Sequence, residues 1–333
     1  MRFSSDSRIV SILRWFGTVL SIFLLAYLLS QQGWDEIGEA VSQIPLWYFS
    51  IIILLVIISR FAVTGRWYAL LRVTSEEINW WQSVRLTFSG LFATNFLPTT
   101  IGGDVVRLAG AIQYGANGAV IAASLIVDRL VGVFGMALMV PLGIIPLLTW
   151  FSATQPNDRF QLQFGLLGIQ NFSFKKIWNW GVNIFRKIFQ ALKFWWKKPG
   201  SLLVSLIFSG IHMLCFFGIL WMIFLGLGNP IPFHLVAGLY SFVYLVTLLP
   251  ISINGYGLQE LSFSLIFSQV GGISMQHSLT AALIFRTLTL LASLPGAAFV
   301  PGIIVGYRAS KNKDGTDLQD QDDTSKQSET TDP

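Results

Sequence analysis

The chain has 333 residues, 53% of them hydrophobic, with a mean hydropathy of +0.62 and only 12% Asp, Glu, Lys or Arg. A soluble globular protein carries about 25% charge, so this composition excludes a mainly water-exposed surface; apolar runs of ~20 residues likewise argue against a β-barrel, whose strands alternate over ~10. The net charge of +5 and pI near 9.4 come without a basic domain or a nucleic-acid motif, so no nucleic-acid partner is expected and the basic excess is read as membrane topology.

In chain order, Arg2, Arg8 and Arg14 precede an apolar run from about Trp15 to Ser30. No small-residue cleavage site closes that run, and it reads as a first spanning helix. The loop from Gln31 to Ile44 holds Asp35, Glu36 and Glu39 and no Lys or Arg. A second span runs from about Pro45 to Val63, with Arg60, Arg66 and Arg72 at and beyond its end. Basic, acidic, basic is the positive-inside order, which places the N-terminus and the 60–85 region in the cytoplasm. Residues 86–97 form a short apolar segment that stops at Pro98, followed by a Gly-rich turn and a polar helix start. Residues from about 118 to 150 are apolar again, interrupted by Asp128 and Arg129.

The stretch 151–200 holds eight Lys or Arg (Arg159, Lys175, Lys176, Arg186, Lys187, Lys193, Lys197, Lys198) against one acid, Asp158. Ile177, Ile184, Phe185, Ile188, Leu192 and Trp195 fall there at helical spacing. This predicts a basic amphipathic helix on anionic lipid headgroups over 175–198, rather than a plain positive-inside loop. Further spans cover about 201–226, 232–249 and 278–306, with a second short broken segment after Pro250. The tail from Ala309 to Pro333, with seven acids, three lysines and almost no apolar residue, cannot bury a core and is expected to be disordered.

The expected fold is an all-α, polytopic membrane helical bundle of about eight helices, two of its segments broken or re-entrant and forming a pseudo-repeat. The membrane domain is 1–308, with halves at about 45–150 and 201–306 and a cytoplasmic linker 151–200; the tail is 309–333. The expected location is the inner (plasma) membrane, with the N-terminus, linker and tail cytoplasmic.

The charges inside the two halves carry the functional reading. From Leu86 to Asn157 they are Asp104, Arg107, Asp128 and Arg129; from Pro199 to Tyr307 they are Glu260 and Arg286. A charge at the centre of a spanning helix costs ~3 kcal/mol even on the lenient insertion scale. These six must line a cavity, pair or lie near an interface, and three acids match three arginines. Their order repeats. Pro98 is followed by Gly102, Gly103, Asp104 and Arg107; Pro250 is followed by Asn254, Gly255, Gly257 and Glu260. Arg129 lies 25 residues after Asp104, and Arg286 lies 26 after Glu260. Paired Pro/Gly-interrupted segments at corresponding positions point to a transporter-type site. The proline ends a helix, glycines permit the turn, and the next helix opens with N–H groups that suit an anion. Arg107, Arg129 and Arg286 would add bidentate phosphate contacts. The substrate expected is a membrane phospholipid or a polyprenyl-phosphate-linked lipid.

Cys215 stands alone, and His212, His234 and His277 show no metal-ligand spacing, so no metal or cofactor is expected.

At these residues the chain resembles the flippase-like transmembrane domain of lysylphosphatidylglycerol synthetases and related bacterial and archaeal membrane proteins, which include glycolipid and hopanoid export candidates. The matching stretches are Leu97-Pro98 to Gly102-Gly103-Asp104-Val105-Val106-Arg107, Val127-Asp128-Arg129-Leu130, Asn254-Gly255-Tyr256-Gly257-Leu258-Gln259-Glu260 and Phe285-Arg286. The resemblance covers about 10–308 and implies about eight helices with re-entrant segments that move a lipid headgroup between leaflets. Family members often carry Arg before the glutamate and Gly after it; here Gln259 and Leu261 stand there, which makes the expected cavity less positive. The family's aminoacyl transfer belongs to a separate soluble domain, for which the residues after Tyr307 are too few.

The function expected is therefore flippase-like lipid or lipid-linked headgroup translocation, without its own ATPase because no Walker-type loop is present. Two alternatives stand beside it. One is a membrane enzyme acting on a phospholipid or polyprenyl phosphate. The other is a non-transporting subunit that recruits a soluble lipid-modifying enzyme.

Overall fold

The structure is a computed structural model that describes residues 45–96, 102–153, 198–248 and 255–303, with Ser42. The first predicted span, most of the basic linker, the C-terminal tail, and Pro98, Pro250 and Asn254 lie outside the described residues. The elements are α1 (Leu46–Leu71), α2 (Trp80–Phe96), α3 (Gly102–Gln113), α4 (Gly118–Met139), α5 (Pro141–Ala153), α6 (Pro199–Gly226), α7 (Phe233–Thr247), α8 (Leu258–Gln269) and α9 (Met275–Leu291), then a 3₁₀ turn at Leu294–Ala298. No strand occurs among the described residues. The chain is an all-α membrane bundle.

Local chemistry sets most helix starts. Asn79 and Gln82 form a capping box ahead of α2: Asn79 Oδ1 accepts from the Gln82 N–H at 2.9 Å, and Gln82 Oε1 accepts from the Asn79 N–H at 2.8 Å. Asn117 caps α4 by accepting from the Ala119 N–H, and Ser274 caps α9 by accepting from the His277 N–H. Proline opens α6 at its first turn, where its missing donor does no harm. Two predicted spans are interrupted. The apolar run 118–150 divides into α4 and α5 at Pro141, and the run 278–306 ends as a helix at Leu291 before Pro295 enters the 3₁₀ turn.

Among the described residues, four segments are long and apolar enough to cross a membrane: α1, α4, α6 and Met275–Ala298. Helix α1, at 26 residues, rises ~39 Å, enough for the ~30 Å hydrocarbon core. The second predicted span therefore does not stop at Val63. It continues through Trp67 and Leu70, both fully buried, to Leu71. Arg60 and Arg66, read in the sequence as cytoplasmic topology signals, sit within that helix. Ile53, Leu54, Ile57 and Ile58 of α1 and Leu203, Ile207 and Leu214 of α6 are exposed in the bundle. Such an apolar exterior suits hydrocarbon and not water. This is a multi-pass membrane protein.

Helices α1 and α6 pack against each other along their length. The buried Ser201, Ser205 and Ser209 recur every fourth residue on α6, small enough for close approach. Ser201 Oγ donates to the Ala69 carbonyl at 2.7 Å. The phenyl ring of Phe208 lies where a side chain at Gly65 would go, 2.6 Å from such a Cβ.

The order of helices after α1 repeats after α6. Helix α2 packs on α3 and α3 on α4; correspondingly α7 packs on α8 and α8 on α9. Helices α3 and α8 both have 12 residues, and each carries its acid, Asp104 or Glu260, at the third position. The cores of the two series differ in kind. The first gathers Trp67, Leu86, Val106, Ile121 and Leu125; the second is aromatic, with Phe217, Phe224, Tyr240, Phe263, Phe267 and Phe285.

Candidate functional site

The two 12-residue helices reach their starting geometry differently. Gly255 and Gly257 take φ of +71° and +74° just before α8, a left-handed conformation that disfavours a side chain. Gly102 and Gly103 have ordinary helical backbone, and Gly103 serves close approach instead. A Cβ there would strike the Gly90 carbonyl and Thr94 Oγ1, so glycine on both helices lets α2 and α3 touch backbone to backbone. A Cβ at Gly90 would also lie 2.7 Å from the Arg107 side chain, whose stem passes over that helix.

Around α3 the charges form a ladder of five. Arg66 Nε donates to Asp128 Oδ1 at 2.7 Å and its Nη2 to Oδ2 at 3.3 Å. Arg107 Nη1 donates to Asp128 Oδ2 at 3.3 Å and lies 3.7 Å from Asp104 Oδ1. Arg129 Nε donates to Asp104 Oδ2. Asp128, 1% exposed, is thus held by two arginines. The Arg107 guanidinium also rests 4.2 Å over the Trp67 ring, whose Nε1 donates to Ser124 Oγ.

Around α8 the arrangement is simpler. Arg286 Nε lies 3.0 Å from Glu260 Oε1, close but not aligned as a hydrogen bond, and Nη1 donates to Gln259 Oε1 at 3.2 Å. The guanidinium stacks 4.1 Å over the Tyr256 ring. The Tyr256 hydroxyl donates to the Asn95 carbonyl of α2, tying the second series to the first. Arg286 Nη2 and Glu260 Oε2 are buried without a hydrogen-bond partner among the described residues.

Between the series lies a cavity of about 540 Å³ lined from α1, α2, α4 and α6 to α9. Among the described residues its wall carries four guanidiniums, those of Arg60, Arg66, Arg129 and Arg286, and no carboxylate. Neutral polar groups join them: Thr94, Asn95, His212, Tyr240, Tyr244 and Gln259. His212 Nδ1 is held by Ser59 Oγ at 2.8 Å. One side is aromatic: Phe216 packs on His212, Tyr240 and Phe285 with ring centroids 4.6–5.4 Å apart.

Of the residues singled out in the sequence, Arg129, Arg286 and Gly255 line the cavity. Asp104, Asp128 and Glu260 stand behind it and hold arginines in place, and Arg107 bridges the two aspartates. The family model for the lysylphosphatidylglycerol synthase TM region matches residues 14–296. The chain belongs to that family. No curated protein matches it.

Two residues of this family member escaped sequence reasoning. Arg60 and Arg66 were placed outside the membrane because the span was ended at Val63. The signal for them was the apolar run Trp67 to Leu71, which carries the helix one and a half turns past Arg66. Including them overturns the matched count of three acids and three arginines. Among the described residues, five guanidiniums now stand against three carboxylates.

Proposed function

We propose that this protein moves the phosphate-bearing headgroup of a membrane phospholipid, or of a polyprenyl-phosphate-linked lipid, between leaflets, with the cavity between the two helix series as its binding site. The observation that carries this reading is a wall that, among the described residues, holds four arginines and no carboxylate, inside a bundle whose exterior is apolar. Guanidinium forks match phosphate oxygens two at a time. The aromatic side formed by Phe216 and Phe285 suits the apolar portion adjoining such a headgroup. A site assembled from corresponding helices of two repeated series also allows access to alternate by rocking one series against the other.

The test is headgroup movement in liposomes that contain the purified chain and a fluorescent phospholipid, quenched from outside. The expected result is faster loss of inner-leaflet fluorescence than in protein-free liposomes, returning to the protein-free rate in Arg129→Gln/Arg286→Gln. No acceleration by the parent protein would overturn the reading. Chemical turnover of the labelled lipid would instead favour the membrane enzyme.

A further inference from the structure

We infer that the ligand of this cavity is a lipid phosphate of net negative charge, with no cationic group on its headgroup, and that Arg60 is the side chain that receives it. The inference rests on the cavity being a headgroup site and names the class of headgroup.

Charge balance comes first. Arg66 and Arg107 share Asp128, Arg129 is paired with Asp104, and Arg286 with Glu260. Arg60 is absent from these pairs: none of the described carboxylates forms a salt bridge with it. Among the described residues, five buried or cavity-lining guanidiniums against three carboxylates leave two positive charges uncompensated. A buried charge without a partner is unfavourable by several kcal/mol, so the resting cavity favours an anion.

Position comes second. Arg60 is only 9% exposed, its Nε has no hydrogen-bond acceptor, and its side chain lines the cavity. It sits on α1, next to Ser59, whose hydroxyl meets His212 Nδ1 on the same wall. Arg286, approaching from α9, keeps Nη2 without an acceptor. The donors that remain available thus come from both helix series and face one space.

Selectivity comes third. Beside two uncompensated guanidiniums, an ammonium or aminoacyl amine on the headgroup is repelled and cancels the charge that draws the phosphate in, and the three described carboxylates nearby stand behind the wall, bound to arginines. Phosphatidate, phosphatidylglycerol and polyprenyl phosphates fit. Phosphatidylethanolamine and aminoacyl-ester lipids do not.

The experiment measures binding, which requires no movement across the membrane. The full chain in nanodiscs is titrated with dioctanoyl phosphatidic acid, dioctanoyl phosphatidylethanolamine and inorganic phosphate. The phosphatidic acid is expected to bind, Arg60→Gln to weaken it by about tenfold or more, the loss of one charged hydrogen-bonded contact, and Arg60→Lys to fall between. Arg85→Gln, at an exposed position on α2, is expected to match the parent, and inorganic phosphate not to compete at the same concentration. Equal binding of the ethanolamine lipid, or unchanged binding by both Arg60 variants, would overturn the assignment. Effective competition by inorganic phosphate would also overturn it, in favour of a free anion. If Arg60→Gln does not fold, Arg60→Lys carries the comparison. Arg60-dependent binding without headgroup movement would sink the translocation reading and leave this one standing; movement that is indifferent to Arg60 would do the reverse.

Discussion

Behind α3 the acid–arginine pair is one link in a ladder of five charges, whereas behind α8 it is a single pair resting on a tyrosine ring. Asp104 and Glu260 occupy the same register of equivalent helices, and each meets the arginine of the helix that follows. Yet Asp104 shares Arg107 with the buried Asp128, while Glu260 meets Arg286 alone. Equivalent sequence positions have been given unequal duties. The first series ties its two acids into a ladder, and the second presents to the cavity a guanidinium with a single carboxylate partner.

The sharpest way to break this comparison is Asp128→Asn against Glu260→Gln. Removing the Asp128 charge strands Arg66 and Arg107 in the interior, and about 3–5 kcal/mol of stability should be lost. Glu260→Gln leaves Arg286 with Gln259, Tyr256 and the cavity, and about 1–2 kcal/mol is expected. Thermal unfolding in detergent checks both; equal losses would erase the distinction between ladder and single pair.

Two glycines separate the mechanics of the breaks. Gly103→Ala inserts a Cβ against the Gly90 backbone, which must shift, and about 1–3 kcal/mol should be lost. Gly255→Ala has room, its nearest neighbour being Thr247 Cβ at 3.7 Å, and loses only the left-handed preference, about 1–2 kcal/mol. Disulfide cross-linking across α2 and α3 should drop for the first and not for the second.

The smallest effect is expected for Tyr256→Phe. The ring beneath Arg286 stays while the hydroxyl bond to the Asn95 carbonyl goes, so about 0.5–1.5 kcal/mol should be lost. Because that bond joins the two series, headgroup movement should change more than stability does, as read by the liposome assay.

Much of this was legible before any coordinates. The spacings of 25 and 26 residues marked the repeat in the sequence; the acid and arginine so spaced do meet in both halves, because a 12-residue helix, a short turn and a few helical turns back bring those positions level. The sequence offered the glycines for a tight turn and for close backbone approach; Gly255 and Gly257 take positive φ and Gly103 meets the Gly90 backbone, and which glycine does which depends on a partner helix that local sequence does not reveal. Arg60 and Arg66 were lost for a different reason. A basic residue near the end of an apolar run looks the same whether it marks a membrane boundary or lines a buried cavity.

By itself, then, the sequence determined that this is a helical membrane protein, since composition and apolar run length act residue by residue. Only the tertiary structure decided which charges are partners and which face the cavity, because Coulomb attraction and burial depend on distances between helices far apart in the chain. Asp128 chose Arg66, 62 positions away, over the arginine beside it.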